Sequence, residues 1–182
     1  DVYKRQNRIN FNAEGYTVNP VIISPERKKL LNRNLMLFFT GFSRFSSDIQ
    51  VAAEKNLKSK QNQLLEMLSL VDDAEKILTS KTDLEEFGRL LDYTWQLKRG
   101  ITDKVSTDSI DAVYSRALQA GATGGKLLGA GGGGFLLFYV DPDKQENVRK
   151  ALENLLYVPF EFENGGTRVI HYTPESYEPV NA

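Results

Sequence analysis

The sequence predicts an α+β fold, a small and mainly antiparallel sheet with helices packed on it. Three observations predict it. Short β-branched or aromatic runs lie toward both ends of the chain, amphipathic helical stripes fill the middle, and glycine is concentrated in one place. Of 14 glycines, those at 121, 124, 125, 129 and 131–134 fall in one short segment. No repeat or low-complexity tract argues for a second architecture, so residues 7–182 are expected to form one domain.

Arg8–Phe11 and Tyr16–Ile23 flank the turn Asn12-Ala13-Glu14-Gly15 and read as a hairpin. Leu35 to Thr40 is a continuous apolar run closed by Gly41, as expected of a buried strand. Ile49, Ala53, Leu57, Leu64 and Leu68 then share a helical face, which Ser46 or Ser47 could cap. Thr82 and Glu85 have capping-box spacing, ahead of the stripe Leu84, Phe87, Leu91 and Trp95. That stripe makes Trp95 a core residue. A further helix is expected from about Thr107 to Ala120, buried through Ile110, Val113, Tyr114, Ala117 and Leu118, with Gly121 as its left-handed cap. Phe135 to Val140 reads as a strand, and Asp141-Pro142 should open a helix buried through Val148, Ala151, Leu152 and Leu155. Two closing strands, 157–162 and 167–172, would turn at Asn164-Gly165-Gly166.

Composition narrows the function. With 23 Lys and Arg against 24 Asp and Glu, the chain lacks the basic excess of a nucleic-acid or anionic-membrane binder. Its apolar runs are far shorter than the roughly 20 residues a spanning helix needs, and the polar start carries no secretory signal, so a cytoplasmic location is expected. Zero Cys and a single His, His171, leave no thiol chemistry and no multi-His zinc site; no metal site is expected. The chain begins on Asp1 rather than Met, which suggests a piece of a longer protein with residues 1–6 a foreign or disordered start.

The segment Gly124-Gly125-Lys126-Leu127-Leu128-Gly129-Ala130-Gly131-Gly132-Gly133-Gly134 carries the chemistry. Residues free to take positive φ let successive amides point inward as an anion nest, with Lys126 beside it. A P-loop is excluded because Leu127 follows Gly125-Lys126 where Ser or Thr is required. Gly129, Gly131 and Gly134 fit a dinucleotide fingerprint, but the segment runs from helix through loop to strand, and no helix begins after it. A bland glycine-rich connection remains the alternative, at an entropic cost for every glycine.

The stretch Gly124 to Tyr139 resembles the third conserved motif of the GHMP small-molecule kinases, and more narrowly that of bacterial D-glycero-D-manno-heptose 7-phosphate kinases. Thr40-Gly-Phe-Ser-Arg-Phe-Ser-Ser-Asp-Ile49 and Trp95-Gln-Leu-Lys-Arg-Gly-Ile-Thr-Asp-Lys-Val-Ser106 are similar to that branch as well. The resemblance implies a ferredoxin-like C-terminal kinase domain and phosphoryl transfer from ATP, with Mg²⁺, to a sugar or sugar phosphate. It places Gly124, Gly125, Lys126, Gly129, Ala130, Gly131, Gly132 and Gly133 near nucleotide or phosphate. The family's serine-containing phosphate loop is not found here, so the resemblance implies that the N-terminal kinase domain is a missing partner, that no catalytic residue lies in this fragment, and that the fragment alone is inactive.

Substrate-binding candidates are Arg44, Ser46 and Ser47, just beyond a buried strand, and Lys98 and Arg99, at a helix end where cations also satisfy the terminal carbonyls. His171 is expected to be structural. Arg27-Lys28-Lys29 reads as a solvated run, and Asp72-Asp73 and Glu85-Glu86 as helix surface. The rival reading is a stand-alone regulatory module that binds a phosphorylated metabolite without catalysis.

Overall fold

The computed structural model describes residues 7–41 and 46–162, with the backbone alone at 46–48. Arg44, His171, the expected 164–166 turn and the 167–172 strand lie outside the described residues, as do residues 1–6. So do the side chains of Ser46 and Ser47.

Two units are described. The first contains a hairpin of β1 (Asn7–Asn12) and β2 (Gly15–Pro20), antiparallel in the register Asn12↔Gly15. Asn12 makes the turn by accepting the Glu14 amide on its own side chain at 2.9 Å.

The second unit, Ile22–Glu161, holds the core. Its first helix, α1 (Pro25–Asn34), starts because Ser24 accepts the Arg27 amide at 3.2 Å and Pro25 occupies the first turn. It runs without a loop into β3 (Leu35–Phe39). Arg27 is no solvated charge, as the sequence suggested. Its guanidinium donates to the carbonyls of Ile77 at 2.5 Å, Leu78 at 3.0 Å and Thr82, satisfying groups at the end of a later helix.

The helical middle is two helices, not one continuous face. α2 (Ser46–Asn56) and α3 (Gln61–Thr79) are separated by a turn, which leaves Leu57 and Leu68 largely exposed. α4 (Glu85–Arg99) begins without the expected capping box. Asp83, not Thr82, accepts the Glu85 amide, at 3.0 Å, because Thr82 is engaged with Ser80. Leu84, Leu91 and Trp95 of its stripe are buried, and the Trp95 ring lies 6.1 Å from Tyr114, so this tryptophan is core as expected. α5 (Asp108–Gln119) is capped by Thr107, whose hydroxyl accepts the Ile110 amide at 3.3 Å. Ile110, Val113, Tyr114 and Ala117 are its buried face, and Gly121 follows with φ +113.

Sequence reading missed one strand. Ala122–Leu127 forms β4, paired antiparallel with β5 (Phe135–Val140). The glycine segment therefore runs strand, turn, strand, not helix, loop, strand. β6 (Leu156–Tyr157) is two residues long where a strand from 157 to 162 was expected. α6 (Gln145–Ala151) starts later than Asp141-Pro142 predicted, since those two residues form a turn in which Lys144 N–H donates to Asp141 O at 2.9 Å. Its Val148 is buried, as is Leu152 just beyond it.

The second unit's sheet is wholly antiparallel in the order β4-β5-β3-β6, so β4 is an edge strand. One face, through Met36, Phe38, Leu127, Leu136 and Phe138, packs into the core with α5 and α6. The expected α+β class is observed, and among the described residues no helix is long and apolar enough to cross a membrane.

Candidate functional site

The site is built where β4 hands the chain to β5. Its floor is held by Tyr114 of α5, whose hydroxyl accepts the Gly125 amide at 3.1 Å and lies 3.0 Å from the Gly125 carbonyl and 2.6 Å from Asp92. An edge strand needs partners on its free side, and one phenol here stands in for a neighbouring strand. Burial and the Asp92 carboxylate push the phenol's pKa far up, so it stays neutral and keeps its hydrogen. Gly124 lies against α4, where a Cβ would stand 2.1 Å from the Gly88 carbonyl oxygen. Gly124 and Gly125 are thus closely packed strand residues and not members of an open nest.

The turn proper starts at Leu128, whose amide donates to Phe135 O at 2.8 Å. Gly129, Gly131, Gly132 and Gly134 have φ of +82, +128, +72 and +105. Two outside anchors fix its shape. Thr40 at the end of β3 receives the Gly134 amide on its hydroxyl at 3.1 Å, while its own amide donates to Gly134 O at 2.8 Å. Gly132 N–H donates to Val105 O at 2.9 Å, and a Cβ on Gly131 would lie 2.7 Å from that same oxygen. Glycine at 131 is therefore required twice over, by the positive φ and by the space a Cβ would need.

With those bonds made, the amides of Gly129, Ala130, Gly131 and Gly133 meet no acceptor among the described residues. Four such donors on one short turn are groups of the kind that an anion takes. Two lysines belong to this neighbourhood. Lys126 is the last residue but one of β4, and Lys98 reaches from α4 to donate to Gly129 O at 2.5 Å. Burial pulls the Lys126 pKa down. Burial first, then the charge of Lys126, pulls that of Lys98 down to about 8. Neither lysine has a carboxylate partner among the described residues.

Of the residues proposed from sequence, the structure brings Lys98, Lys126, Gly129, Ala130, Gly131, Gly132 and Gly133 together. Arg99 is committed elsewhere, to Asp111 of α5 at 2.6 Å, with Ser106 holding the other Asp111 oxygen at 2.5 Å. Sequence reasoning missed Thr40, Val105 and Tyr114 as the supports of the turn. A buried threonine hydroxyl and a tyrosine in an otherwise apolar stripe were the available signals. Donor amides with paired cations fit a nucleotide's phosphates or another phosphoryl group. The described residues include no group of three or more His, Asp or Glu that could hold a metal ion.

Residues 70–158 match the model of the family described as GHMP kinases C terminal. The D-glycero-alpha-D-manno-heptose 7-phosphate kinase of Campylobacter jejuni is 33% identical over 144 residues, which is 78% of this chain and 42% of that protein. Among solved structures, a putative sugar kinase from Campylobacter jejuni superposes with a TM-score of 0.57 at 26% identity, covering 88% of this chain and 46% of that one. The mevalonate kinase of L. major, at 19% identity and a TM-score of 0.66 over 83% of this chain and 47% of its own, shares the fold. The chain spans less than half the length of each of these proteins. Residues 70–158, which hold the anchored glycine turn between β4 and β5, thus carry a GHMP kinases C-terminal domain.

Proposed function

We propose that the chain supplies the C-terminal wall of the cleft in an ATP-dependent kinase whose acceptor is a sugar phosphate of the heptose class. The observation that carries this reading is the glycine turn, with four amides that meet no acceptor, and two nearby lysines that meet no carboxylate, among the described residues. The heptose 7-phosphate kinase relative supports the substrate class. ATP supplies the phosphoryl group. The acceptor hydroxyl oxygen forms a bond to the γ-phosphorus as the bond from that phosphorus to the β–γ bridging oxygen breaks, giving ADP and a phosphate ester.

The part played by this chain is electrostatic and positional. Charge spread over the transferring oxygens is met by fixed amide dipoles that need no reorganisation when it develops. Lys126 adds a cation whose partial burial strengthens its field. Thr40 and Val105 hold the turn in shape before ligand arrives, and Tyr114 holds the strand that delivers Lys126. The base that takes the acceptor's proton, and any Mg²⁺ on the phosphates, belong to the preceding domain, so transfer requires both walls of the cleft.

The test compares two polypeptides in a coupled ADP-release assay with a heptose or hexose phosphate. The 182-residue chain is expected to show no turnover. In the longer protein that includes the preceding domain, Lys126→Met is expected to lower kcat/KM by about a hundredfold, as the loss of one charge-stabilising donor does elsewhere. Turnover by the short chain, or an unchanged kcat/KM in the variant, would overturn the reading.

A further inference from the structure

The loop that joins α4 to α5, residues 100–107, is one of the two places where the glycine turn is fastened to the rest of its unit. Val105 is its contact residue and is buried. The Val105 carbonyl receives the Gly132 amide at 2.9 Å, and a Cβ on Gly131 would stand 2.7 Å from that oxygen. A displaced Val105 therefore either carries the turn with it or loses the bond. A loop of this length has many conformations open to it, so something must keep that oxygen in one place.

One carboxylate does so. Asp111, in the first turn of α5, takes Arg99 at the end of α4 on one oxygen at 2.6 Å. Its other oxygen accepts from Ser106, the neighbour of Val105, at 2.5 Å. The helix dipole stabilises an aspartate in a first turn without any partner, so two engaged oxygens exceed what the helix requires. Further bonds tighten the same loop. Val105 N–H donates to Thr102 O at 3.2 Å, and Asn56 of α2 donates to Ile101 O at 2.8 Å. Arg99, a substrate ligand by sequence, has its guanidinium on Asp111 and on Gln96 at 3.2 Å.

We propose that Asp111, with Arg99 and Ser106, is the positioning group of the glycine turn: it closes the α4–α5 loop and so sets Val105 O, against which Gly131 and Gly132 are placed. These residues act through Val105 and not on the reacting atoms. The functional consequence rests on the reading of the turn as part of a kinase cleft, whereas the geometric link needs no ligand. The turn's second anchor, Thr40 with Gly134, comes from β3 and does not involve the loop. The two anchors must therefore answer differently when Asp111 is lost.

Amide hydrogen exchange of the 182-residue chain, followed by NMR, reads each anchor separately. In Asp111→Ala the Gly132 amide is expected to exchange about tenfold faster, the scale of a lost charge-assisted hydrogen bond. The Thr40 and Gly134 amides are expected to stay within about twofold, because a local opening leaves other protected sites unchanged. Ser106→Ala keeps the ion pair and should give a smaller acceleration at the same amide. Arg99→Met should follow Asp111→Ala, and Arg99→Lys, which can still meet one carboxylate oxygen, should restore most of the protection. Arg89→Met is the control: it removes the exposed pair with Glu85 at 2.9 Å from the same helix and should leave Gly132 unchanged. In the longer protein that includes the preceding domain, Asp111→Ala is expected to lower kcat by about tenfold with KM for the acceptor within about twofold.

An unchanged Gly132 overturns the proposal. So does equal acceleration at Gly132, Gly134 and Thr40, since Asp111 would then act on overall stability. Faster exchange at Gly132 with unaltered kcat overturns the positioning role in transfer. A longer protein with no kinase turnover overturns the kinase reading instead, and the exchange pattern still decides whether Asp111 places the turn.

Discussion

The two halves of the glycine segment have nearly the same composition and opposite physical requirements. In the strand half, Gly124 and Gly125 have ordinary extended backbone, and what matters is the missing Cβ. At Gly124 it would meet Gly88 O at 2.1 Å, and at Gly125 it would meet Leu137 O at 2.5 Å. In the turn half, Gly129 has open space around its Cβ position, and what matters is φ of +82. One half buries glycine to bring a helix onto a strand, and the other uses it to turn the chain with four amides that meet no acceptor among the described residues. Fold and site thus share a sequence signature yet draw on different properties of the same residue.

The largest expected effect comes from the strand half. Gly124→Ala forces its methyl into the backbone of α4 and within 2.9 Å of the Asp92 side chain, neither of which is the free end of a flexible group. A loss of about 3 kcal/mol is expected, at the upper end of the overpacking range. Urea unfolding followed by Trp95 fluorescence measures it. A variant as stable as the parent would show that α4 and β4 can separate at little cost, and the strand half would lose its distinct explanation.

Tyr114→Phe probes the same half with a smaller perturbation. The ring remains against Phe138, 5.5 Å between centroids, while the hydroxyl that holds Gly125 and Asp92 is lost. The Gly125 amide is then left buried without an acceptor, which costs about 1–3 kcal/mol. Because β4 also carries Lys126, phosphate affinity should fall with stability. Amide exchange at Gly125 reports the first effect and calorimetry the second. Lost stability with unaltered affinity would uncouple the strand from the site.

These expectations also mark what the amino-acid order revealed. β3, β5 and α5 were legible because continuous apolar runs and a 3–4 stripe depend only on burial, which side-chain type records directly. β4 was not, since Ala-Thr-Gly-Gly-Lys-Leu has no apolar alternation and its glycines read as breakers. It is a strand because Tyr114 and β5 satisfy its backbone, a tertiary fact. The glycine turn and Lys126 stood out from local composition as a candidate anion site. Lys98 was visible only as a cation at a helix end, since its approach to Gly129 depends on how α4 lies along β4. Arg27 was misread for the same reason: its acceptors come from the far end of another helix.

The smallest effect on stability, and the most informative on function, is expected at Gly129. Its Cβ would meet nothing within 4 Å, so Gly129→Ala costs only the left-handed backbone penalty, about 1 kcal/mol. Yet the substitution biases φ at the residue whose carbonyl receives Lys98 and whose own amide meets no acceptor among the described residues. A shift of φ toward negative values turns both groups away from their present directions, so phosphate affinity should drop by more than the stability change alone accounts for. Gly124→Ala should do the reverse at a temperature where it stays folded, losing stability while the turn, anchored independently by Thr40 and Val105, keeps its shape. If instead the two substitutions lowered stability and affinity in the same proportion, the two halves would be one cooperative unit. The turn's donors would then be a by-product of packing and not an independently held binding surface.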